Sequence, residues 1–416
     1  MRLVDNIPGA LDRRTRSEDP AFRDAVAAIV ARVRTGGWDA LVAESERIDH
    51  AAPRLVEVAP FAAQARASYP AETLAAVELA HANVTRFHEA TRPSDSSVET
   101  MPGLTVAKQW RAIDRVGLYI PGGSAPLFST LLMLAIPARA AGVGEIVVVT
   151  PPRADGTLDP AIALAAELCG ITAIWTVGGA QAIAALAFGA GAIAPVAKIA
   201  GPGNKWVAAA KALVASTPGG PAIDLPAGPS ELLVIADASA DPATVAADLL
   251  SQAEHDPDAE VVLIATDASL ADAVLHEVDR QLTDIPAAAP AMAAAKAIVA
   301  TLDEAIALAN AWAPEHLSLA VADPDASVPR IRNAGAIFVG HSVAESFGDY
   351  LAGSSHVLPT GGAARATGGV TVLSFMKEVS VLRATPAASR AVAAPAAALA
   401  RLEGLEAHAR AAEMRA

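Results

Sequence analysis

The chain holds one cysteine, Cys169, among 416 residues. An intramolecular disulfide is therefore excluded, and the scarcity of thiols fits a reducing, cytoplasmic setting. Cys169 ends the apolar run Ala-Ile-Ala-Leu-Ala-Ala-Glu-Leu-Cys, where a buried structural thiol is expected rather than a nucleophile. Aromatic residues make up only 4%, against 53% apolar in total, so aliphatic side chains must fill the core. That composition suits an α/β protein with Ala-rich helices. Positive charge is also short: 31 Lys and Arg face 45 Asp and Glu, a net charge of −14. No basic patch stands out, which argues against nucleic-acid binding. No uncharged apolar run reaches the ~20 residues that span a bilayer. The longest candidate, 131–150, is interrupted by Pro137, Arg139 and Glu145. No apolar segment followed by a cleavage site marks a signal peptide, and no Gly-x-Gly-x-x-Gly turn occurs.

What is present is a repeated unit. Residues 1–100 read mostly helical, with amphipathic segments at 21–34, 38–48 and 71–90. His81 and His88, two turns apart on the last, read as surface or packing residues. From Val116 the texture changes to strand, glycine turn, helix. The turns are Pro121-Gly122-Gly123, Gly178-Gly179 and Gly201-Pro202-Gly203-Asn204, each opening a helix. This is the unit of a parallel sheet with helices on its faces, and such turns let backbone N–H groups approach phosphates. A second α/β run follows the loop 224–231. The expected fold is α/β: two Rossmann-like parallel-sheet domains of similar construction, one inserted in the other, plus a small C-terminal helical tail. The first domain is assigned 15–117 and 235–370, the inserted one 118–234, and a small terminal region 1–14 and 371–416. The last helix is expected over roughly 397–414, which puts Glu403 and His408 on one helix, about 140° apart around its axis.

Several stretches place His beside carboxylates or amides. In Asp248–Asp256, Gln252 and His255 stand three residues apart and share a helix face. An amide oxygen and an imidazole there can coordinate a metal or grip a polar substrate; read alone, the stretch equally fits a helix end with a solvated His. Glu315-His316 supplies two groups that titrate near working pH once partly buried. Asp349 and His356 share a glycine-rich loop, and His408 lies near Glu403 and Glu406. Asp and His suit zinc, and Gln252 and His255 complete a four-residue set with one more His, for which His408 is the natural candidate.

Taken in order, the motifs resemble the histidinol dehydrogenase family. They are Val-Gly-Leu-Tyr-Ile-Pro-Gly-Gly-Ser-Ala-Pro-Leu-Phe-Ser-Thr, Val-Gly-Gly-Ala-Gln-Ala-Ile-Ala, Gly-Pro-Gly-Asn, Asp-Leu-Pro-Ala-Gly-Pro-Ser-Glu, Leu-Leu-Ser-Gln-Ala-Glu-His, Pro-Glu-His-Leu, Gly-Asp-Tyr with His-Val-Leu-Pro-Thr, and Glu-Gly-Leu-Glu-Ala-His, spanning about 110–410. The resemblance implies NAD-dependent, zinc-assisted oxidation of L-histidinol to L-histidine through L-histidinal. It implies Gln252, His255, Asp349 and His408 as ligands of one zinc per subunit, and Glu315 and His316 as the acid–base pair. Ser230, His356 and Glu403, with the ligands and His316, are implied as substrate contacts, and Tyr119, Gln181 and Asn204 as NAD contacts. It further implies a homodimer whose tails exchange, so that each site takes His408 and Glu403 from the partner, with the terminal region serving dimerisation. The alternative is a dehydrogenase of the same fold acting on another polar alcohol, such as a sulfonated diol.

Overall fold

Short β-branched runs build two six-stranded sheets in the structure, a computed structural model that describes residues 1–4, 11, 19–122, 126–225 and 228–416. In the first sheet, Ala173–Thr176, Glu145–Thr150, Arg115–Tyr119, Lys198–Ala200 and Ala222–Ile223 lie side by side and parallel. Arg54–Glu57 adds an antiparallel edge on Ala173–Thr176. In the second, Lys296–Val299, Glu260–Ala265, Glu231–Ala236, His316–Ala320 and Ala336–Val339 repeat the same order of crossovers, all parallel. Arg2–Val4 forms its edge, parallel to Lys296–Val299. The first sheet thus lies in the chain between the edge strand and the body of the second, whereas the sequence reading assigns 1–14, with that edge strand, to the small terminal region.

Alternation decides which face each side chain joins. Leu232, Val234 and Ala236 pack under the helices Pro242–Ala253 and Ala268–Leu282; Leu233 and Ile235 meet the opposite core with Leu317, Leu319 and the helix Leu302–Trp312. Strands covered on both faces carry no polar alternation, and all six residues of Glu231–Ala236 are buried.

The helices of the first hundred residues sit differently from the reading that joined 15–117 to 235–370. Pro20–Ile48 packs on Gly179–Phe188 and Lys205–Ser216, Ala59–Ser68 on Pro160–Leu168, and Ala71–Ala90 on Phe128–Ala141. The physical reason lies in Phe128–Ala141 and Gly179–Phe188, which are buried almost all round and so need a second helical layer outside them. The crossing back to the second sheet falls in the loop before Glu231, a few residues earlier than the 234/235 boundary. Most of 1–14 lies outside the described residues, as do the turn residues 123–125 and the loop residues 226–227.

A third, antiparallel sheet joins Ser96–Met101, Leu104–Ala112 and Met376–Ala384. The tail then forms two helices, Pro386–Leu402 and Glu406–Glu413, instead of one over 397–414. Gly404 takes the left-handed conformation (φ 74°) and stops the first. Glu403 caps that helix and His408 lies on the next, so a common helix axis does not relate them.

Candidate active site

The cleft lies where the carboxyl edge of the first sheet meets the amino edge of the second. Ser129, Thr130, Gly201 and Asp224 come from segments that follow strands of the first sheet; Ser230, Glu315 and His316 stand at strand starts of the second. Gln252 and His255 enter from the end of the helix Pro242–Ala253, and Asp349 and His356 from the segment after Ala336–Val339.

Glu315 and His316 follow the helix Leu302–Trp312, whose end is turned by Ala313 in the left-handed region (φ 56°). The Glu315 N–H donates to Glu231 Oε2 at 3.2 Å, and Glu315 Oε2 accepts the Glu231 N–H at 2.9 Å. Burial, together with the charges of Glu231 and Asp349, raises the Glu315 carboxyl well above its ordinary range, against the bond from the Glu231 N–H. His316 Nδ1 lies 3.1 Å from the Glu231 carbonyl oxygen, so the tautomer that donates there leaves Nε2 as a lone pair. That Nε2 is buried with no hydrogen-bond partner among the described residues, and lies 4.0 Å from Asp349 Oδ1. Burial lowers the imidazole to about 4, so it is neutral at neutral pH.

The residues that could hold a metal lie alongside. Both amide atoms of Gln252 are buried and unpartnered among the described residues. His255 Nδ1 lies 2.9 Å from the Ser251 carbonyl oxygen, which orients the ring and frees Nε2 for a ligand. Asp349 supplies a carboxylate beside them, and its carbonyl oxygen accepts from His356 Nδ1 at 2.9 Å. His356 Nε2 faces Thr130 Oγ1 at 3.4 Å. An unpartnered amide, a pre-oriented imidazole and a carboxylate make a donor set suited to zinc. Among the described residues no three His, Cys, Asp or Glu side chains are grouped to hold a metal ion. This chain's own His408 is exposed on the tail and does not line the cleft, nor does Glu403.

Comparison with known proteins decides the kinship. The family model for histidinol dehydrogenase matches residues 12–416. The chain belongs to the histidinol dehydrogenase family. It is 48% identical over 412 residues to histidinol dehydrogenase of Xanthomonas axonopodis pv. citri, covering 98% of this chain and 95% of that protein. It is 47% identical to the Rhizobium meliloti protein of the same name over 411 residues, 97% of this chain and 93% of that one. The crystal structure of histidinol dehydrogenase from Elizabethkingia anophelis superposes with a TM-score of 0.95 at 38% identity, covering 100% and 98% of the two chains.

The three positions expected to contact NAD in this family member share the carboxyl edge of the first sheet. The Tyr119 hydroxyl accepts from the Gly179 N–H at 3.2 Å, and burial pushes its phenol up to about 12. Gln181 Nε2 donates to Asp49 Oδ2 at 3.1 Å, which leaves its buried Oε1 unpartnered among the described residues. Asn204 is exposed and caps the helix Lys205–Ser216 by accepting from Trp206 N and Val207 N. Three buried polar groups in or beside the cleft are not singled out by the sequence reading, although one, Glu231, closes the Asp-Leu-Pro-Ala-Gly-Pro-Ser-Glu motif. Lys211 is ion-paired with Asp224 and donates to the Gly201 carbonyl oxygen at 2.8 Å, bracing that turn. Glu345 lies 3.4 Å from His316 Nδ1, with both carboxylate oxygens buried and unpartnered among the described residues. Glu231 is the third. Its signal is a carboxylate at the head of the otherwise apolar strand Glu-Leu-Leu-Val-Ile-Ala.

Proposed function

We propose that the cleft oxidises L-histidinol to L-histidine through L-histidinal, passing two hydrides in succession to two molecules of NAD⁺. The observation that carries this reading is the state of His316. Its ring is neutral, its Nδ1 is committed to a carbonyl, and its Nε2 is an unpartnered lone pair in the cleft. Nε2 takes the hydroxyl proton as the first hydride leaves the carbinol carbon. The aldehyde then adds water to become a hydrate, and Glu315 takes the proton of that water. Burial raises that carboxyl well above its ordinary range, which makes its carboxylate form a stronger base toward the water. As the second hydride leaves the same carbon, Nε2 of His316, free of its first proton, takes a hydroxyl proton of the hydrate, and the carboxylic acid results.

Gln252, His255 and Asp349, completed by His408, would hold one zinc ion per subunit. When bound, the ion would fix the imidazole and amine of the substrate rather than generate hydroxide. Ser230 and His356 border the same space. NAD would lie along the edge marked by Tyr119, Gln181 and Asn204, where helix N-termini favour a pyrophosphate. Glu403, as a substrate contact, would supply a carboxylate that suits a cationic amino alcohol and not an anionic sulfonate.

We place His408 and Glu403 in the cleft of a second copy, in a homodimer with exchanged tails. The tail helices expose Leu399, Leu402, Leu405 and Met414, the last 86% accessible, and the adjoining strand exposes Leu382. Apolar side chains so grouped suit cover by another chain. A reducing cytoplasmic setting fits the single, buried Cys169. The test of the mechanism is Glu315→Gln. Oxidation of L-histidinal should fall while alcohol oxidation, followed in a single turnover, persists. Equal loss of both half-reactions would contradict a role confined to water.

A further inference from the structure

Four hydrogen bonds of Glu231 end on the reacting pair or on the loop beside it. Its Oε2 accepts the Glu315 N–H at 3.2 Å, and its own N–H donates to Glu315 Oε2 at 2.9 Å. Its carbonyl oxygen accepts from His316 Nδ1 at 3.1 Å. Its Oε1 accepts the Gly361 N–H at 2.7 Å. The residue heads the strand Glu231–Ala236, whose Leu232 is in register with His316, so its backbone is fixed by the sheet. It is buried and, unlike the neighbouring Ser230, does not line the cleft.

The geometry points to Glu231 as a positioning residue for both half-reactions. Its backbone sets the tautomer of His316 and orients the Glu315 carboxylate. Its side chain ties the Glu315 backbone to the loop at Gly361, which adjoins the cleft-lining Leu358 and Thr360. The same loop is held from the other side by Thr360 Oγ1, which accepts the Gly228 N–H at 2.7 Å. A carboxylate is required because both partners are N–H donors. Glutamine has almost the same shape, but its NH₂ would face one of those donors and break that tie.

The inference rests on the functional reading above, and the experiment separates the two. Wild type, Glu231→Gln and Glu231→Asp are each assayed with L-histidinol and with L-histidinal, and rates are expressed per zinc-loaded site. Small displacements of catalytic groups cost on the order of 10- to 100-fold, so Glu231→Gln should lose about that much kcat on both substrates. KM for L-histidinol and zinc content should stay within about threefold, because Glu231 touches neither substrate nor metal. Glu231→Asp keeps the charge but is one methylene short, so its loss should be smaller and of the same kind. It carries the test if the Gln variant does not fold. A kcat per loaded site within about twofold of wild type in a folded variant would overturn the inference, as would a loss confined to KM or to zinc content. Failure of the wild type to oxidise L-histidinol would overturn the functional reading and this inference with it.

Discussion

Replacing Gln252 by leucine should change sign in its effect on stability according to whether zinc is bound. Both amide atoms of Gln252 are buried and unpartnered among the described residues, on a helix that otherwise buries Leu249 and Leu250 in the core. A buried polar group left unsatisfied costs about 1–3 kcal/mol, so removing the amide should stabilise the metal-free protein by about that amount. If the amide oxygen is a ligand, the same change weakens zinc binding. A 10- to 100-fold weaker affinity removes roughly 1.4–2.7 kcal/mol of the stabilisation that saturating zinc confers. The assay is urea unfolding of wild type and Gln252→Leu at one protein concentration, in chelator and in excess zinc. The variant's advantage in chelator should shrink or reverse in zinc, and elemental analysis should show reduced metal. An equal stabilisation under both conditions, with full zinc content, would refute the reasoning.

An inactive His316→Ala chain refolded with an inactive His408→Ala chain should regain about a quarter of wild-type activity, since half the dimers are mixed and each holds one intact site. No recovery in a verified heterodimer would mean that each chain builds its own site. Asn204→Ala should weaken NAD binding without loss of zinc, measured by titration and elemental analysis, and remove a helix cap worth about 1 kcal/mol. His88 is buried with neither ring nitrogen partnered among the described residues, and burial lowers it from 6.5 to about 4. The unfolded chain therefore takes up the proton first as pH falls. Stability should decline between pH 6.5 and 4, by up to about 3 kcal/mol at ~1.4 kcal/mol per pH unit, and His88→Leu should flatten that slope in urea unfolding.

The central strands of the two parallel sheets and most of their helices were legible because each carries its own pattern, whereas the short edge strands Arg2–Val4, Arg54–Glu57 and Ala222–Ile223 were not. Glu260–Ala265 is a buried aliphatic run, and Pro242–Ala253 opens with an Asp cap. The hairpin strand Ser96–Met101 is exposed at every position and so shows no apolar alternation. Its neighbour Leu104–Ala112 pairs with Met376–Ala384 from the far end of the chain, which no local pattern announces. Gly404 was visible in the sequence, but a glycine in an Ala-rich stretch does not say whether a helix ends there. In the site, Gln252 with His255 and Glu315 with His316 stood out as polar groups in apolar stretches. Glu231 meets His316 only through sheet register, and Glu345 only through the placing of the short helix Glu345–Tyr350, so spacing along the chain is silent about them.

The most direct test of the central claim counts NADH against product. With L-histidinol limiting and NAD⁺ in excess, the zinc-loaded protein should form two NADH and one L-histidine per substrate molecule, and stripping zinc with a chelator should stop it. One NADH per substrate with L-histidinal accumulating, or turnover unaffected by removal of the metal, would contradict the account.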